Sequence, residues 1–160
     1  MDTSLQAAIS LREAGKHAEA RELLLKLEES SPQDPRLLFQ LAWVHDVMGL
    51  EREAIPYYER ALSLGLAGEA RRRALLGLGS TYRTLGMYRE SGEIFAAAIA
   101  EFPEAREFKV FYAMTLYNLQ QYETAMKLLL IELAETSQDQ GIQDYRRAIR
   151  FYAGRLDEIF

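Results

Sequence analysis

The chain has 160 residues, 49% of them apolar and 27% charged, a composition that supports a sizeable core and excludes an extended disordered chain. It contains no cysteine, which excludes disulfides, thiolate metal sites and a cysteine nucleophile. A net charge of −5 argues against sequence-independent binding to nucleic acid, and four prolines with ten glycines are too few for an all-β chain.

In chain order, Met1 to Gln6 lack the basic start and apolar run of a secretion signal. Apolar residues at helical spacing then predict helices over 3–14, 17–29, 36–48, 51–63, 69–85, 88–100, 105–119 and 122–136. Gly15, Gly49 and Gly86 fall where a first helix ends, a place that favours the left-handed backbone. Gln120 falls at the same place in the fourth pair and must adopt that conformation without glycine's freedom, or form a different turn. Pro35 and Pro103 sit near helix starts or in loops, whereas Pro56 lies inside the fourth helix and removes one of its hydrogen bonds. The stretch Leu64-Gly65-Leu66-Ala67-Gly68 reads as an insertion and as the most mobile connection. Apolar runs such as Leu128 to Ile131 are far short of a membrane span, so a cytoplasmic protein with no membrane partner is expected. From 140 to 157 a ninth helix is predicted, with Ile142, Tyr145, Ile149, Tyr152, Leu156 and Ile159 as one apolar stripe that caps the stack.

The helices repeat. Leu75, Leu78, Gly79, Tyr82, Gly86, Tyr88, Ser91, Phe95, Ala98 and Pro103 return 37 residues earlier as Leu38, Leu41, Ala42, His45, Gly49, Glu51, Ala54, Tyr58, Ala61 and Leu66. Weaker copies stand 34 residues to either side, giving repeats at about 1–34, 35–68, 72–105 and 106–139. Small residues (Ala8, Ala42, Gly79 and Ala113 on first helices, Ala20, Ala54, Ser91 and Ala125 on second helices) allow each pair to approach closely.

Catalysis has little support. His17 and His45 fall at two different repeat positions, those held by Tyr88 and Tyr82 in the third copy, and read as packing residues. No zinc-binding histidine motif is present, Gly77-Leu78-Gly79 lacks the strand and third glycine of a nucleotide loop, and adjacent carboxylates such as Glu28-Glu29 point apart on a helix. No enzyme, cofactor or metal is expected.

These residues resemble the tetratricopeptide repeat family, as in small bacterial members, whose pattern opens W-x2-L-G-x2-Y and continues A-x3-F and P. The third copy follows it with Leu75 for the Trp and Ser91 for the Ala, while the first copy lacks the aromatics. The resemblance implies one all-α domain over 1–160, a right-handed solenoid of four helix pairs with a capping helix. It also implies a protein-interaction scaffold whose first helices line a concave groove. Carried residue by residue onto this chain, the ligand-facing positions give Leu5, Ile9 and Arg12, then Arg36, Phe39, Trp43 and Val47, then Arg73, Leu76 and Arg83, then Val110, Met114 and Tyr117. The Lys and Asn with which some members grip a terminal carboxylate are absent at the fifth and ninth positions. The expected partner is an apolar or amphipathic peptide or helix carrying acidic residues, met by an apolar groove with an arginine rim, with no nucleic acid or membrane involved. Trp43 reads equally as a half-exposed groove residue and as core. The alternative is a self-associating structural protein, a homodimer through its C-terminal region, with Leu156, Ile159 and Phe160 as candidate contacts.

Overall fold

The computed structural model describes residues 2–159, and the elements among them are helices: α1 (Asp2–Glu13), α2 (His17–Ser30), α3 (Pro35–Val47), α4 (Glu51–Ser63), α5 (Gly68–Thr84), α6 (Tyr88–Glu101), α7 (Arg106–Asn118), α8 (Tyr122–Thr136), α9 (Gln140–Asp144) and α10 (Arg146–Tyr152). The first eight end within one residue of the spans expected from periodicity. Among the described residues no helix is long and apolar enough to cross a membrane.

Local chemistry explains the helix ends. Asp34 caps α3 by accepting from the backbone N–H groups of Arg36 (2.9 Å) and Leu37 (3.4 Å), and Pro35 supplies a first residue that needs no hydrogen-bond partner. Four first helices close with one and the same bond: Lys16 N–H to Leu11 C=O, Leu50 to His45, Met87 to Tyr82 and Gln121 to Leu116, each 2.9 Å. The residue inside each turn has positive φ. Three of them are glycines (Gly15, Gly49, Gly86), and the fourth is Gln120 at φ 62°. Pro56 lies within α4, as expected. The inserted loop is anchored by Leu66, whose side chain is buried and whose N–H donates to Ala61 C=O.

The helices form two compact units, residues 1–87 and 88–160, so the division runs through the third repeat. In the first unit each helix from α1 to α5 packs on the next, and α3 also meets α5. Leu24, Leu38, Leu41, Val44, Tyr58 and Leu78 fill its core, and Ala8, Ala20, Ala42 and Ala54 are fully buried at the close helix contacts. His45 is core as expected: Nδ1–H donates to Leu41 C=O (2.7 Å), Nε2 accepts from Arg21 Nε–H (3.0 Å), and the ring stacks on Tyr57.

In the second unit α6 packs on α7 and α7 on α8. Phe95 meets Phe108 and Phe111 at ring distances of 6.5 and 6.1 Å, while Ala113, Leu116 and Ala125 close the α7–α8 contact. Glu132 is buried where the two preceding repeats place Ala61 and Ala98. It is neutralised by Arg106 (2.8 Å) and Lys109 (3.0 Å).

The tail differs from the single helix expected over 140–157. It breaks at Tyr145 and ends at Tyr152, two residues before Gly154, a poor helix former. Such short helices exist only where tertiary contacts hold them. Here those contacts are Arg146 and Arg150 on Glu135 (2.7 and 2.8 Å) and the buried Ala153. The expected stripe is covered only in part: Ile142 and Ile149 are half-buried, while Tyr145, Tyr152, Leu156 and Ile159 are exposed.

Candidate functional site

The first helices of the first unit bring three of the expected groove residues together around one indole. The Arg12 guanidinium of α1 lies 3.6 Å from the Trp43 ring centre of α3, and that of Arg73 from α5 lies 5.8 Å from it. Phe39 supports the indole from one turn earlier on α3, with ring centres 5.4 Å apart. Trp43 is half-buried. An aromatic ring within about 6 Å of two guanidiniums is stabilised by each cation, most where water is thin.

Arg12 is the unusual member. It is only 8% exposed, contrary to the expectation that the groove arginines stand in solvent. Its Nε has no hydrogen-bond partner, and its one carboxylate neighbour, the exposed Glu13, is 3.6 Å from Nη2. Burial lowers the basicity of this guanidinium, Glu13 opposes that shift, and the charge of Arg73 adds to it. Arg73, by contrast, is exposed and already bonded to Glu69 (3.0 Å).

A polar network stands beside these residues. Tyr58 of α4 donates to Asp46 of α3 (3.2 Å), and Thr81 of α5 donates to the other Asp46 oxygen (3.1 Å). Burial raises the Asp46 carboxyl above its usual range, and the two hydroxyl donors partly reverse this. The Tyr58 hydroxyl is pushed upward by burial and by the Asp46 charge. Tyr58 fits only because α5 carries Gly77: a Cβ there would fall within 2.6 Å of the ring carbon that bears the hydroxyl. The groove set names none of Tyr58, Thr81 and Gly77. The signal that could have found them is a glycine in mid-helix, Gly77, two residues before the repeated small-residue position at Gly79.

The other expected groove residues are distributed differently. Leu5 and Phe39 are buried and serve as core, because Phe39 packs between Trp43 and Tyr58. Ile9, Leu76 and Arg83 are half-buried, and Val47 is exposed. Arg36 is exposed and drawn to Asp34, the cap of its own helix (3.4 Å). In the second unit Val110 is half-buried and Met114 and Tyr117 are exposed, with Tyr117 edge-on to Tyr122 (5.1 Å). Of the C-terminal candidates, Leu156 and Ile159 are exposed beyond the last helix, and Phe160 lies outside the described residues. Among the described residues no three His or carboxylate side chains gather closely enough to hold a metal ion.

Residues 35–156 match a family model described as Tetratrico peptide repeat, and residues 2–34 match a second described as Tetratricopeptide repeat. Two solved structures are similar in fold. One is YrrB, described as a TPR protein with an unusual peptide-binding site, at 20% identity and TM-score 0.73 over 89% of this chain and 71% of that one. The other is MamA (41-end) from Desulfovibrio magneticus RS-1, at 16% identity and TM-score 0.73 over 95% of this chain and 88% of that one. No curated protein matches this chain significantly.

Proposed function

The chain belongs to the tetratricopeptide repeat family, and from that premise we propose that it is a protein-interaction scaffold whose Arg12–Trp43–Arg73 cluster receives a peptide segment pairing an apolar residue with an acidic one. The observation that carries this reading is the buried Arg12 guanidinium with an unpartnered Nε, beside a second guanidinium on the same indole. A buried cation with one long carboxylate contact is under-compensated, and an incoming carboxylate would relieve it. The half-buried indole and the exposed Val47 offer the apolar contact beside that charge. The peptide-binding description of YrrB supports the same class of partner.

Trp43 is the single tryptophan of the chain and reports directly on the site. A helical peptide with Leu at core spacing and Glu between is titrated against its Lys counterpart, following indole fluorescence. The Glu peptide should bind saturably and the Lys peptide should not. Arg73→Glu should weaken the Glu peptide by roughly tenfold or more. Equal binding of the two peptides, or indifference to Arg73→Glu, overturns the reading.

A further inference from the structure

In the inner repeats one face of each second helix is covered by the first helix that follows it. On α4, Tyr58 lies against Gly77 of α5. On α6, Phe95 meets Phe108 and Phe111 of α7, and Gly92 faces Tyr112, Thr115 and Leu119 of the same helix. On α2, Leu24 is buried and Arg21 reaches His45 of α3.

One repeat beyond α6, the positions of Tyr88, Gly92, Phe95 and Ile99 become Tyr122, Met126, Leu129 and Leu133. Their spacing of four, three and four puts them on one face of α8. Among the described residues no further first helix covers them, and they are 53%, 47%, 38% and 44% exposed. The tail does not substitute. It is held through Glu135, and Gly154 lies beside the Lys127 side chain. At 100° per residue, Lys127 and Glu135 stand on the opposite side of α8 from the stripe.

The other end of the repeat array is finished differently. The face with which α7 receives α6 carries Phe108, Phe111, Tyr112, Thr115 and Leu119, and its counterpart on α1 reads Thr3, Gln6, Ala7, Ser10 and Ala14, all exposed. Small and polar residues there need no cover, whereas the α8 stripe does.

We propose that the α8 stripe is a symmetric interface that takes a second copy of this chain, α8 against α8 in antiparallel register. A two-fold axis between positions 127 and 128 sets Tyr122 opposite the second copy's Leu133 and Met126 opposite its Leu129, so each large side chain meets a smaller or flexible one. Tyr117, edge-on to Tyr122, extends the stripe at one end. Five partly exposed side chains of this size offer on the order of 500 Å² of apolar surface per copy. That is the core of a standard interface, which buries about 800 Å² on each partner including its polar rim. A head-to-tail arrangement is disfavoured, because it would press the stripe onto Thr3, Gln6 and Ser10 and strip their water without replacing its hydrogen bonds. The association therefore closes as a pair and does not grow into a fibre. It stands independently of the peptide reading, whose residues lie on α1, α3 and α5.

The test is sedimentation equilibrium of the full chain over a concentration series, with two kinds of variant. The 18.3 kDa chain should approach twice that mass, and Met126→Glu combined with Leu129→Glu should return it to monomer with unchanged far-UV circular dichroism. Because the native chain has no cysteine, Met126→Cys and Leu129→Cys chains can be mixed and oxidised. The mixture should form a covalent pair faster than either variant alone, which reads the register without depending on the charged variant. A chain that stays monomeric up to about 1 mM overturns the proposal and leaves the stripe to a foreign helix. Masses that climb past the dimer, a dimer untouched by the glutamates, or equal cross-linking of mixed and single variants overturn it as well.

Discussion

Gly77→Ala tests the contact on which the first unit's polar network depends. The new Cβ would stand 2.6 Å from Tyr58 Cζ and 2.9 Å from its Cε1. Non-bonded carbons settle at about 3.5–4.0 Å, so the ring must retreat by about 1 Å. Tyr58 has little room to do so: it is 2% exposed, tilted against Phe39, and bonded to Asp46 at 3.2 Å. Retreat overfills a close contact, at about 1–3 kcal/mol, and stretches a hydrogen bond to a carboxylate, at about 1.5–3 kcal/mol. Alanine returns about 1 kcal/mol through its helix propensity. The expected net loss is about 1.5–5 kcal/mol, read as a lower urea midpoint with unchanged slope. The same substitution in a Tyr58→Leu chain should cost far less, because the ring is gone and the first repeat already carries Leu24 at that position. The two changes should therefore couple by more than about 1 kcal/mol. Stabilisation by Gly77→Ala in the native chain, or the same effect in both backgrounds, would refute the reasoning.

Two further outcomes are expected. Gln120→Gly should raise stability by about 1 kcal/mol in urea unfolding, because it removes a side chain from a left-handed backbone position, and a loss would show that the Gln120 side chain contributes more than it strains. Burial raises the Glu132 carboxyl, but the hydrogen bonds and charges of Arg106 and Lys109 outweigh it and leave the group below its ordinary value. A carboxylate depressed in the folded state contributes stability above the unfolded value of about 4.3, and that contribution is lost as pH falls through the folded value. Acid titration of melting temperature should therefore fall less steeply below about pH 4 in Glu132→Gln than in the native chain, and parallel curves would refute the assignment.

The repeat register was legible because close helix contacts admit only small residues, and Ala8, Ala42, Ala54, Ser91 and Ala125 mark it at fixed spacing. The turn at Gln120 was legible for a related reason: position within the repeat dictated the backbone where the residue type did not. The burial of Arg12 was not, because its cover is the face of Trp43, a residue of the next repeat. Positions carried over one repeat at a time treat Leu5 and Phe39 as surface, while cross-helix packing makes them core. The tail misled for the opposite reason. Its apolar period is real, but an apolar stripe orders a long helix only where a surface receives its whole length, and Tyr145, Tyr152 and Leu156 stay about half or more exposed.

Gln120 bears on how the molecule opens. Its turn closes with the same 2.9 Å bond as the three glycine turns, so the strain is absorbed without loosening the joint. In a repeat array each pair draws its hold partly from the neighbours on either side, and among the described residues only the short helices α9 and α10 follow the fourth pair. A strain of about 1 kcal/mol shortens the climb to local opening most where the climb is already shortest. Amide exchange in α7 and α8 should then proceed roughly five times faster than an unstrained turn would allow, so that the helix bearing the open stripe is released from its pair more often than it otherwise would be.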